Sequence, residues 1–316
     1  MIVCLYVDDG LVCGSQKSAL KAFIEKLRGT FDITDSEPDC YVGMEIKRDR
    51  EAKTISISQR GYVARVLERF GLTNAKAVVT PIEPGIKLVD DETEVIDCPY
   101  REAIGCLNFI SQITRPDITY AVNTLARFCN KPKNAHWNAV KRLMRFLKGT
   151  INTAITYGGP EEDLIGYCDS DWGGDELERR STSGHVFTLN GGPIAWSSRL
   201  QKTTALSVTE AEYMSLAEAL IECLWLRPFL SSLGRETDGA TPINVDNQGA
   251  IGLSQNPEFH KRTKHVGIRY HRIRQEQQNG VVAVDYVPTE ANPADILTKG
   301  VSSATLKQCL RLINVS

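Results

Sequence analysis

The chain has 316 residues, which is long enough for about two domains. Hydrophobic residues make up 42% and charged residues 24%, so the composition is that of a globular protein and excludes extended disorder. The formal net charge is only -2, which excludes a global positive field. A nucleic-acid partner would therefore have to be bound by local basic patches.

Nine cysteines are scattered along the chain without a CxxC pair, which argues against a zinc site. With no signal sequence before them, these cysteines favour reduced thiols in an intracellular compartment. No apolar run reaches the roughly 18 residues needed to span a bilayer. We therefore expect a soluble intracellular protein, in the cytoplasm or the nucleus, with no membrane partner.

The first region, residues 1–72, alternates short strands and helices. Two apolar runs flank Asp8 and Asp9, which predicts a β-hairpin with its charges at the turn. A strand as apolar as the first one expects neighbours on both sides, so we expect that further sequence precedes it. The elements predicted next are an amphipathic helix within 15–31, strands at 41–49 and 54–59, and a helix that ends at Gly71.

The second region, residues 73–158, begins with an irregular connector, as Pro81, Pro84 and a run of acids indicate. Helices are predicted at 100–114, 117–129 and 134–150. Opposite its apolar stripe, the last helix carries a basic face of Lys141, Arg142, Arg145 and Lys148. This face is either a solvated helix surface or a phosphate-contacting patch.

The third region, residues 159–316, begins with three hairpin-connected strands that alternating helices and strands follow. The predicted strands lie at 164–171, 184–190, 193–198, 242–246 and 281–287, and Asn190-Gly191-Gly192 is the predicted turn. The predicted helices lie at 208–232, 247–254, 261–278, 294–299 and 304–313. This order predicts a mixed sheet with helices on both sides, and the fold class of the chain is therefore α/β (α+β).

Acidic residues of the third region lie where this topology can bring them together. Asp169 is predicted to end the first strand and Asp246 the fourth, Glu212 lies in the long helix, and Asp295 opens a C-terminal helix. Gathered carboxylates repel one another, so a fold that clusters them normally binds hard divalent cations. Two Mg²⁺ ions roughly 3.5 to 4 Å apart would support phosphodiester hydrolysis. An isolated acid is more often a turn or cap residue, and spacing alone does not choose between Asp169 and Asp171.

Helix phase separates Glu212 from its neighbour Glu210. Two residues on a helix are about 200° apart, so only one of these carboxylates can reach the sheet. Glu212 is one turn before Leu216 and two before Leu220, so it begins the apolar stripe. We predict that Glu212 meets Asp169, whereas Glu210 caps the first turn.

Six motifs of the third region resemble the ribonuclease H domain of copia-type LTR retrotransposon polyproteins over about residues 160–300. They are GYCDSDWGGD, RRSTSGHVF, WSSRLQKTTALSVTEAEYMSLAEAL, VDNQGAI, RTKHVGIRYHRIR and VPTEANPADILTK. In the first region YVDDG resembles the reverse transcriptase active-site box, and YVGMEI the strand after it. The segments from TRPDITYAVNTLARF to WNAVKRLMRFLKGT resemble the thumb and connection, so the resemblance covers essentially the whole chain.

The resemblance implies a truncated reverse transcriptase palm at 1–72, a thumb/connection at 73–158 and a ribonuclease H-like domain at 159–316. It implies an enzyme that hydrolyses the RNA strand of an RNA:DNA hybrid, with two Mg²⁺ ions or Mn²⁺ in their place. The implied catalytic and metal-binding residues are Asp169, Glu212, Asp246 and Asp295. Partners would be the hybrid and an upstream reverse transcriptase segment, in a cytoplasmic retrotransposon particle or the nucleus; the sequence leaves the oligomeric state open.

The resemblance also assigns Asp8 and Asp9 as metal ligands of the polymerase remnant. A third carboxylate and the fingers of such a polymerase are not found in this sequence, so we expect no primer extension. The predicted helix at 261–278 is rich in cations, and we call it the basic helix. It is expected to bind the hybrid through Lys261, Arg262, Lys264, Arg269, His271, Arg272 and Arg274.

One departure from the family concerns the loop before Asp295. Many ribonucleases H have a mobile histidine there, whereas this chain has Thr289 and Glu290, which puts a general-acid or product-release role for a loop histidine in doubt. For His265 and His271 we favour structural or phosphate-contacting roles over catalysis. Three alternatives to an active ribonuclease H are an inactive remnant that at most binds nucleic acid or protein, an integrase-like or resolvase-like nuclease, and a protein-interaction domain.

Overall fold

The computed structural model describes residues 1–86, 88, 94–158, 163–175, 178–255 and 268–316, without the side chains of 268–271. The strands are β1 (Ile2–Tyr6), β2 (Asp9–Cys13), β3 (Cys40–Tyr41), β4 (Met44–Asp49), β5 (Thr54–Ser58), β6 (Ile155–Tyr157), β7 (Ile165–Asp171), β8 (Thr182–Leu189), β9 (Gly192–Leu200), β10 (Thr241–Val245) and β11 (Val282–Tyr286). The α-helices are α1 (Lys17–Arg28), α2 (Arg60–Arg69), α3 (Tyr100–Ile113), α4 (Thr119–Ala126), α5 (Asn134–Gly149), α6 (Val208–Ser232), α7 (Gln248–Gln255), α8 (Ile268–Gln278) and α9 (Ser303–Leu312).

The N-terminal strands β1 and β2 form the predicted hairpin, a two-stranded antiparallel sheet. Tyr6 pairs with Asp9, so Val7 and Asp8 form the turn. The described residues give this hairpin little packing, since Leu5 is 77% exposed and α1 contains no buried residue. The hairpin is therefore held mainly by its backbone ladder.

A second sheet has the order β3-β4-β5-β6. Its last strand, β6, follows β5 by almost a hundred residues, and Ser56 and Thr156 share a hydroxyl hydrogen bond of 2.9 Å across the pair. The sequence did not predict β6, because a three-residue strand carries no periodic pattern of its own. Its pairing connects the two ends of the helical region.

The helices of the second region pack around α5, whose predicted apolar stripe is buried at Val140, Met144 and Leu147. The Arg-Pro corner between α3 and α4 contains a buried ion pair. Arg115 donates to both carboxylate oxygens of Asp117, at 2.9 and 2.7 Å, and its Nη1 donates to the carbonyl of Thr150 at 3.0 Å. The buried charges are thus paired and hydrogen-bonded, as burial requires.

Three of the four cations on the basic face of α5 bind groups of the connector. Arg142 binds the carboxylate of Glu83 at 2.7 Å, Arg145 donates to the carbonyl of Lys76 at 2.6 Å, and Lys148 donates to the carbonyl of Ala75 at 2.7 Å. Their partners all lie in the connector. These side chains therefore hold an irregular segment against the helix.

The large sheet has the order β11-β10-β7-β8-β9. Strands β7, β8 and β9 are antiparallel neighbours, whereas β10 runs parallel to both β7 and β11. Asn190 and Gly191 have φ values of 49° and 81°, which is the left-handed backbone that the predicted Asn-Gly turn favours. The ribonuclease H-like mixed sheet expected from the resemblance is confirmed by this arrangement.

Helices cover both faces of the large sheet. One face packs on α6, α7 and α8 around residues such as Leu216 and Ile243. The other face shares a core with the helical region, in which Val186 and Leu297 join a cluster that runs from Val63 to Val315. This shared core crosses the boundaries at 72/73 and 158/159, and the division into three domains stays a proposal.

One predicted helix has a different form. Residues 294–299 do not form an α-helix, because a short 3-10 segment, Pro293–Leu297, takes their place. Asn292 caps this segment by accepting from the backbone N–H of Ala294 at 3.1 Å. The second terminal helix, α9, is confirmed.

No described helix has the combination of length and apolarity that crossing a membrane requires.

Candidate metal centre

Asp169, Glu212 and Asp246 converge at one edge of the large sheet, and we call them the three-acid group. One carboxylate oxygen from each lies within 4.8 Å of the other two. Asp246 directly follows β10, which runs parallel to β7, so the carboxyl ends of the two strands lie side by side. Asp169 lies inside β7 rather than at its end, because the strand continues to Asp171.

The long helix α6 presents Glu210 and Glu212 as the helix phase predicted. Glu210 accepts from the backbone N–H of Leu206 at 2.8 Å, and Ser207 Oγ accepts from the backbone N–H of Glu210 at 3.2 Å. Ser207 thus caps the helix, and Glu210 lies in its first turn and binds the backbone just before it. Glu212 is only 3% exposed and accepts from the backbone N–H of Ser170 at 3.2 Å, so it faces the sheet beside Asp169.

The donor set of the three-acid group fits a hard divalent cation. Glu212 Oε2 is buried without a hydrogen-bond partner in the part of the chain that the structure describes. A buried carboxylate oxygen without a partner is costly unless a proton or a cation satisfies it. Because every donor is a carboxylate oxygen, with no sulfur or imidazole, the group suits Mg²⁺ or Mn²⁺ better than zinc.

Burial and mutual repulsion change the pKa values of these three acids. Burial raises the pKa of Glu212 to about 9, and the carboxylates of Asp169 and Asp246 add to the rise. Burial also raises the pKa of Asp169 and that of Asp246 above their ordinary value. Without a cation, the group is therefore held together in part by protons.

Asp295, the fourth predicted acid, lies beside Asp169 rather than in the three-acid group. Its carboxylate accepts from Lys299 Nζ at 2.9 Å, and the same ammonium lies 3.6 Å from Asp169 Oδ2. Thr298 Oγ1 donates to Asp169 Oδ2. The structure thus brings all four predicted acids to one edge of the sheet, in two unlike groupings.

Several polar neighbours of these acids were missed from the sequence. Thr289 Oγ1 donates to Asp246 Oδ2 at 2.8 Å, so the loop without a histidine orients this carboxylate with a hydroxyl. Thr298 and Lys299 were missed as well. The available signal was the spacing of Lys299, four residues after Asp295, which places both side chains on one side of a helical turn.

The structure separates Asp169 from Asp171, which lies against the loop that follows β7. A Cβ added at Gly174 would lie 1.6 Å from Asp171 Oδ2, so the carboxylate and this glycine are in close contact. Burial raises the pKa of Asp171, but its carboxylate is not part of the three-acid group. Next to it, Trp172 Nε1 donates to the carbonyl of Ala205 at 3.2 Å, which fastens the loop.

Two other sets of predicted site residues do not join this centre. Asp8 and Asp9 are exposed at the hairpin turn, and within the described ranges they belong to no group of three metal-ligand side chains. Of the basic helix, the exposed Arg272 binds Glu276 at 2.7 Å, and Arg274 is hydrogen-bonded to Tyr213. Outside the described residues lie Lys261, Arg262, Lys264 and His265, and the side chains of Arg269 and His271.

The chain is similar to known proteins over its N-terminal part and over its full length. A family model of reverse transcriptase (RNA-dependent DNA polymerase) matches residues 1–84. The retrovirus-related Pol polyprotein from transposon TNT 1-94 of Nicotiana tabacum is 40% identical, over 100% of this chain and 24% of the relative. The corresponding polyprotein from transposon RE2 of Arabidopsis thaliana is 37% identical, over 98% of this chain and 21% of the relative.

A solved structure is also similar. The N-terminal ribonuclease H domain of a Mycobacterium tuberculosis protein, fused to maltose-binding protein, is 15% identical with a TM-score of 0.30, covering 47% of this chain and 96% of that chain. The chain spans about a quarter or less of the two Pol polyproteins, 24% and 21% of their lengths, yet the similarity to them extends over essentially all of its own residues. The chain belongs to the copia-type retrotransposon Pol polyprotein family.

Proposed function

We propose that this chain is a metal-dependent ribonuclease H that hydrolyses the RNA strand of RNA:DNA hybrids. The observation that carries the proposal is the three-acid group, in which two buried carboxylates and one half-buried carboxylate meet. Within the described ranges, no Lys or Arg side chain pairs with Glu212 or Asp246. The family and the order of the large sheet support the same chemistry. Nucleic acid is the class of substrate on which a Pol polyprotein acts.

The protein residues have distinct roles in this proposal. Asp169, Glu212 and Asp246 hold one divalent cation, and Asp169 with Asp295 holds a second. Mg²⁺ is the expected ion and Mn²⁺ an alternative; when bound, the cations supply an activated water and stabilise the leaving oxygen. The backbone N–H of Ser170 and the hydroxyl of Thr289 orient Glu212 and Asp246, which keeps these carboxylates placed before substrate arrives.

Polymerase activity is not part of the proposed function. Asp8 and Asp9 lie on an exposed hairpin, and the described residues bring no third carboxylate to them. We propose that an upstream reverse transcriptase segment is a partner of this hairpin, in a retrotransposon particle or the nucleus. Primer extension on a primed RNA template, with Mg²⁺ and all nucleotides, should give no product from this chain alone.

The decisive experiment is incubation of the purified chain with an RNA:DNA hybrid labelled on either strand. Cleavage should occur in Mg²⁺ or Mn²⁺, should stop with a chelator, and should be confined to the RNA strand. Double-stranded DNA and double-stranded RNA serve as control substrates. Cleavage of the DNA strand would identify another nuclease of this fold, and no cleavage in either metal would leave a remnant that at most binds.

A further inference from the structure

Lys299 brings a positive charge into the edge of the sheet where the acids gather. Its Nζ lies 2.9 Å from Asp295 Oδ1 and 3.6 Å from Asp169 Oδ2. The Lys299 side chain is 41% exposed, whereas those of Asp169 and Asp295 are 3% and 7% exposed. The ammonium is therefore inserted between two buried carboxylates, while part of its side chain stays in solvent.

The backbone that carries Lys299 is fixed against the sheet. Gly184 pairs with Asp169, and a Cβ on this glycine would lie 2.7 Å from Thr298 Cγ2, so the turn packs directly on the strand. The backbone N–H groups of Thr298 and Lys299 both donate to the carbonyl of Asp295, at 3.3 and 3.4 Å. The position of the ammonium thus follows from a packed turn as well as from a long side chain.

The acids at this edge divide into two groupings of different charge. Glu212 Oε2 has no partner among the described residues, and the hydrogen bond that Asp246 Oδ2 accepts comes from the neutral hydroxyl of Thr289. The ion pairs of Lys299 are with Asp169 and Asp295. Among the described residues no Lys or Arg pairs with Glu212 or Asp246, whereas the Asp169–Asp295 pair already holds an ammonium.

We infer that Lys299 is a positioning residue that acts as an internal counter-ion of the Asp169–Asp295 pair and excludes a divalent cation from that pair. The inference rests on the proposed function. It states that the three-acid group binds its cation before the Asp169–Asp295 pair does. A divalent ion placed between these carboxylates would stand within a few ångströms of an ammonium, and repulsion at that distance in a buried site is strong. Without nucleic acid, the chain binds one divalent cation, at the three-acid group.

A second cation must displace Lys299 from the Asp169–Asp295 pair. The displaced ammonium then needs another anion, and a phosphate group of the nucleic acid is the class of group that meets this need. Lys299 would in this way connect the occupancy of the second position to the presence of a phosphate backbone. If the charge of Lys299 is removed, the Asp169–Asp295 pair should bind its cation without nucleic acid.

The test counts Mn²⁺ ions bound by the purified full chain without nucleic acid, using electron paramagnetic resonance of free Mn²⁺. The unchanged chain should bind one ion. Lys299→Gln and Lys299→Met should each bind two, with the second ion bound at least about tenfold more tightly than in the unchanged chain, as loss of a close like-charge contact predicts. Lys299→Arg should still bind one, as should Lys307→Gln, which removes an exposed lysine of α9.

The possible outcomes separate this inference from the proposed function. Two ions of similar affinity in the unchanged chain would overturn the inference without any variant. A single ion in the unchanged chain and in both charge-removing variants, with folding verified by circular dichroism, would also overturn it. Both results leave hybrid cleavage as the proposed function requires. Absence of any bound Mn²⁺ in the unchanged chain would overturn the inference and the proposed metal centre together.

Discussion

Two acidic motifs of this chain differ in how the fold treats them. Asp8 and Asp9 lie at the turn of a two-stranded hairpin and are exposed to solvent. Asp169 and Glu212 are 2% and 3% exposed, and a strand and a helix that pack together bring them into contact with Asp246. Neighbouring acids in a sequence are therefore not enough for a candidate cation site: the fold must also bury them and bring their carboxylates close together.

The largest expected effect separates the two motifs directly. Asp246→Asn keeps the shape of the side chain but removes a negative charge from the three-acid group, so hybrid cleavage should fall by about a thousandfold or more, since bound cations supply several kcal/mol to such reactions. The double variant Asp8→Asn, Asp9→Asn should cleave within about twofold of the unchanged chain, as surface substitutions usually do. Rates are measured in Mg²⁺ under single-turnover conditions. Equal losses in both proteins would remove the distinction between the motifs.

A similar loss is expected within α6, where burial rather than motif distinguishes two glutamates. Glu212→Gln should abolish cleavage, because this carboxylate belongs to the three-acid group. Glu210→Gln should cleave normally and lose at most about 1 kcal/mol of stability, since it changes hydrogen bonding at the start of the helix. Cleavage rates and urea unfolding of both variants give the comparison. Activity in Glu212→Gln together with none in Glu210→Gln would contradict the helix phase.

A smaller effect concerns pH. Burial raises the pKa of Glu212 to about 9 from an ordinary 4.5, so between these values the folded metal-free chain binds a proton that the unfolded chain has lost. Metal-free stability should therefore fall as the pH rises through this window. Mg²⁺ must displace that proton, so its affinity should rise with pH, by up to about tenfold per unit for each proton released.

Thermal unfolding with and without Mg²⁺ at several pH values measures this pH effect. In Glu212→Gln the loss of metal-free stability with pH should be reduced, because one of the raised carboxyl groups has been removed. The exposed acids Asp8 and Asp9 offer the matched control, since their double replacement by Asn should leave the pH dependence as it was. Mg²⁺ affinity that falls between pH 6 and 8 would be incompatible with a protonated cluster.

The smallest expected effect is on hybrid affinity. If the basic helix contacts phosphates, the binding constant for the hybrid falls as salt rises, and a plot of log binding constant against log salt has a slope of about 0.9 per phosphate neutralised. Replacing Arg272 and Arg274 by Ala lowers the size of that slope by at most about 2. We expect less than that maximum, because Arg272 binds Glu276 and Arg274 is hydrogen-bonded to Tyr213. Lys307→Gln is the control. An unchanged slope would place the binding face elsewhere in the chain.

The fold could be predicted largely from local patterns. Three elements have strong local signals. The hairpin at β1 and β2 has two apolar runs around an acidic pair, the turn has an Asn-Gly pair, and the helix α6 has apolar residues at helical spacing. The strand β6 and the 3-10 segment Pro293–Leu297 were not predicted correctly. Both are short, and pairing or packing with residues distant in the chain gives them their form.

Sequence alone determined a set of candidate acids and the phase that turns Glu212 toward the sheet, because residue type and helical periodicity are local properties. Only the tertiary structure decided which acids lie close together and which acids have a lysine as their partner. Distances between Asp169, Asp246 and Asp295 depend on parallel strand pairing and on a turn packed over Gly184. The charge balance at the site follows from those distances, because electrostatic interactions depend on separation and burial rather than on order along the chain.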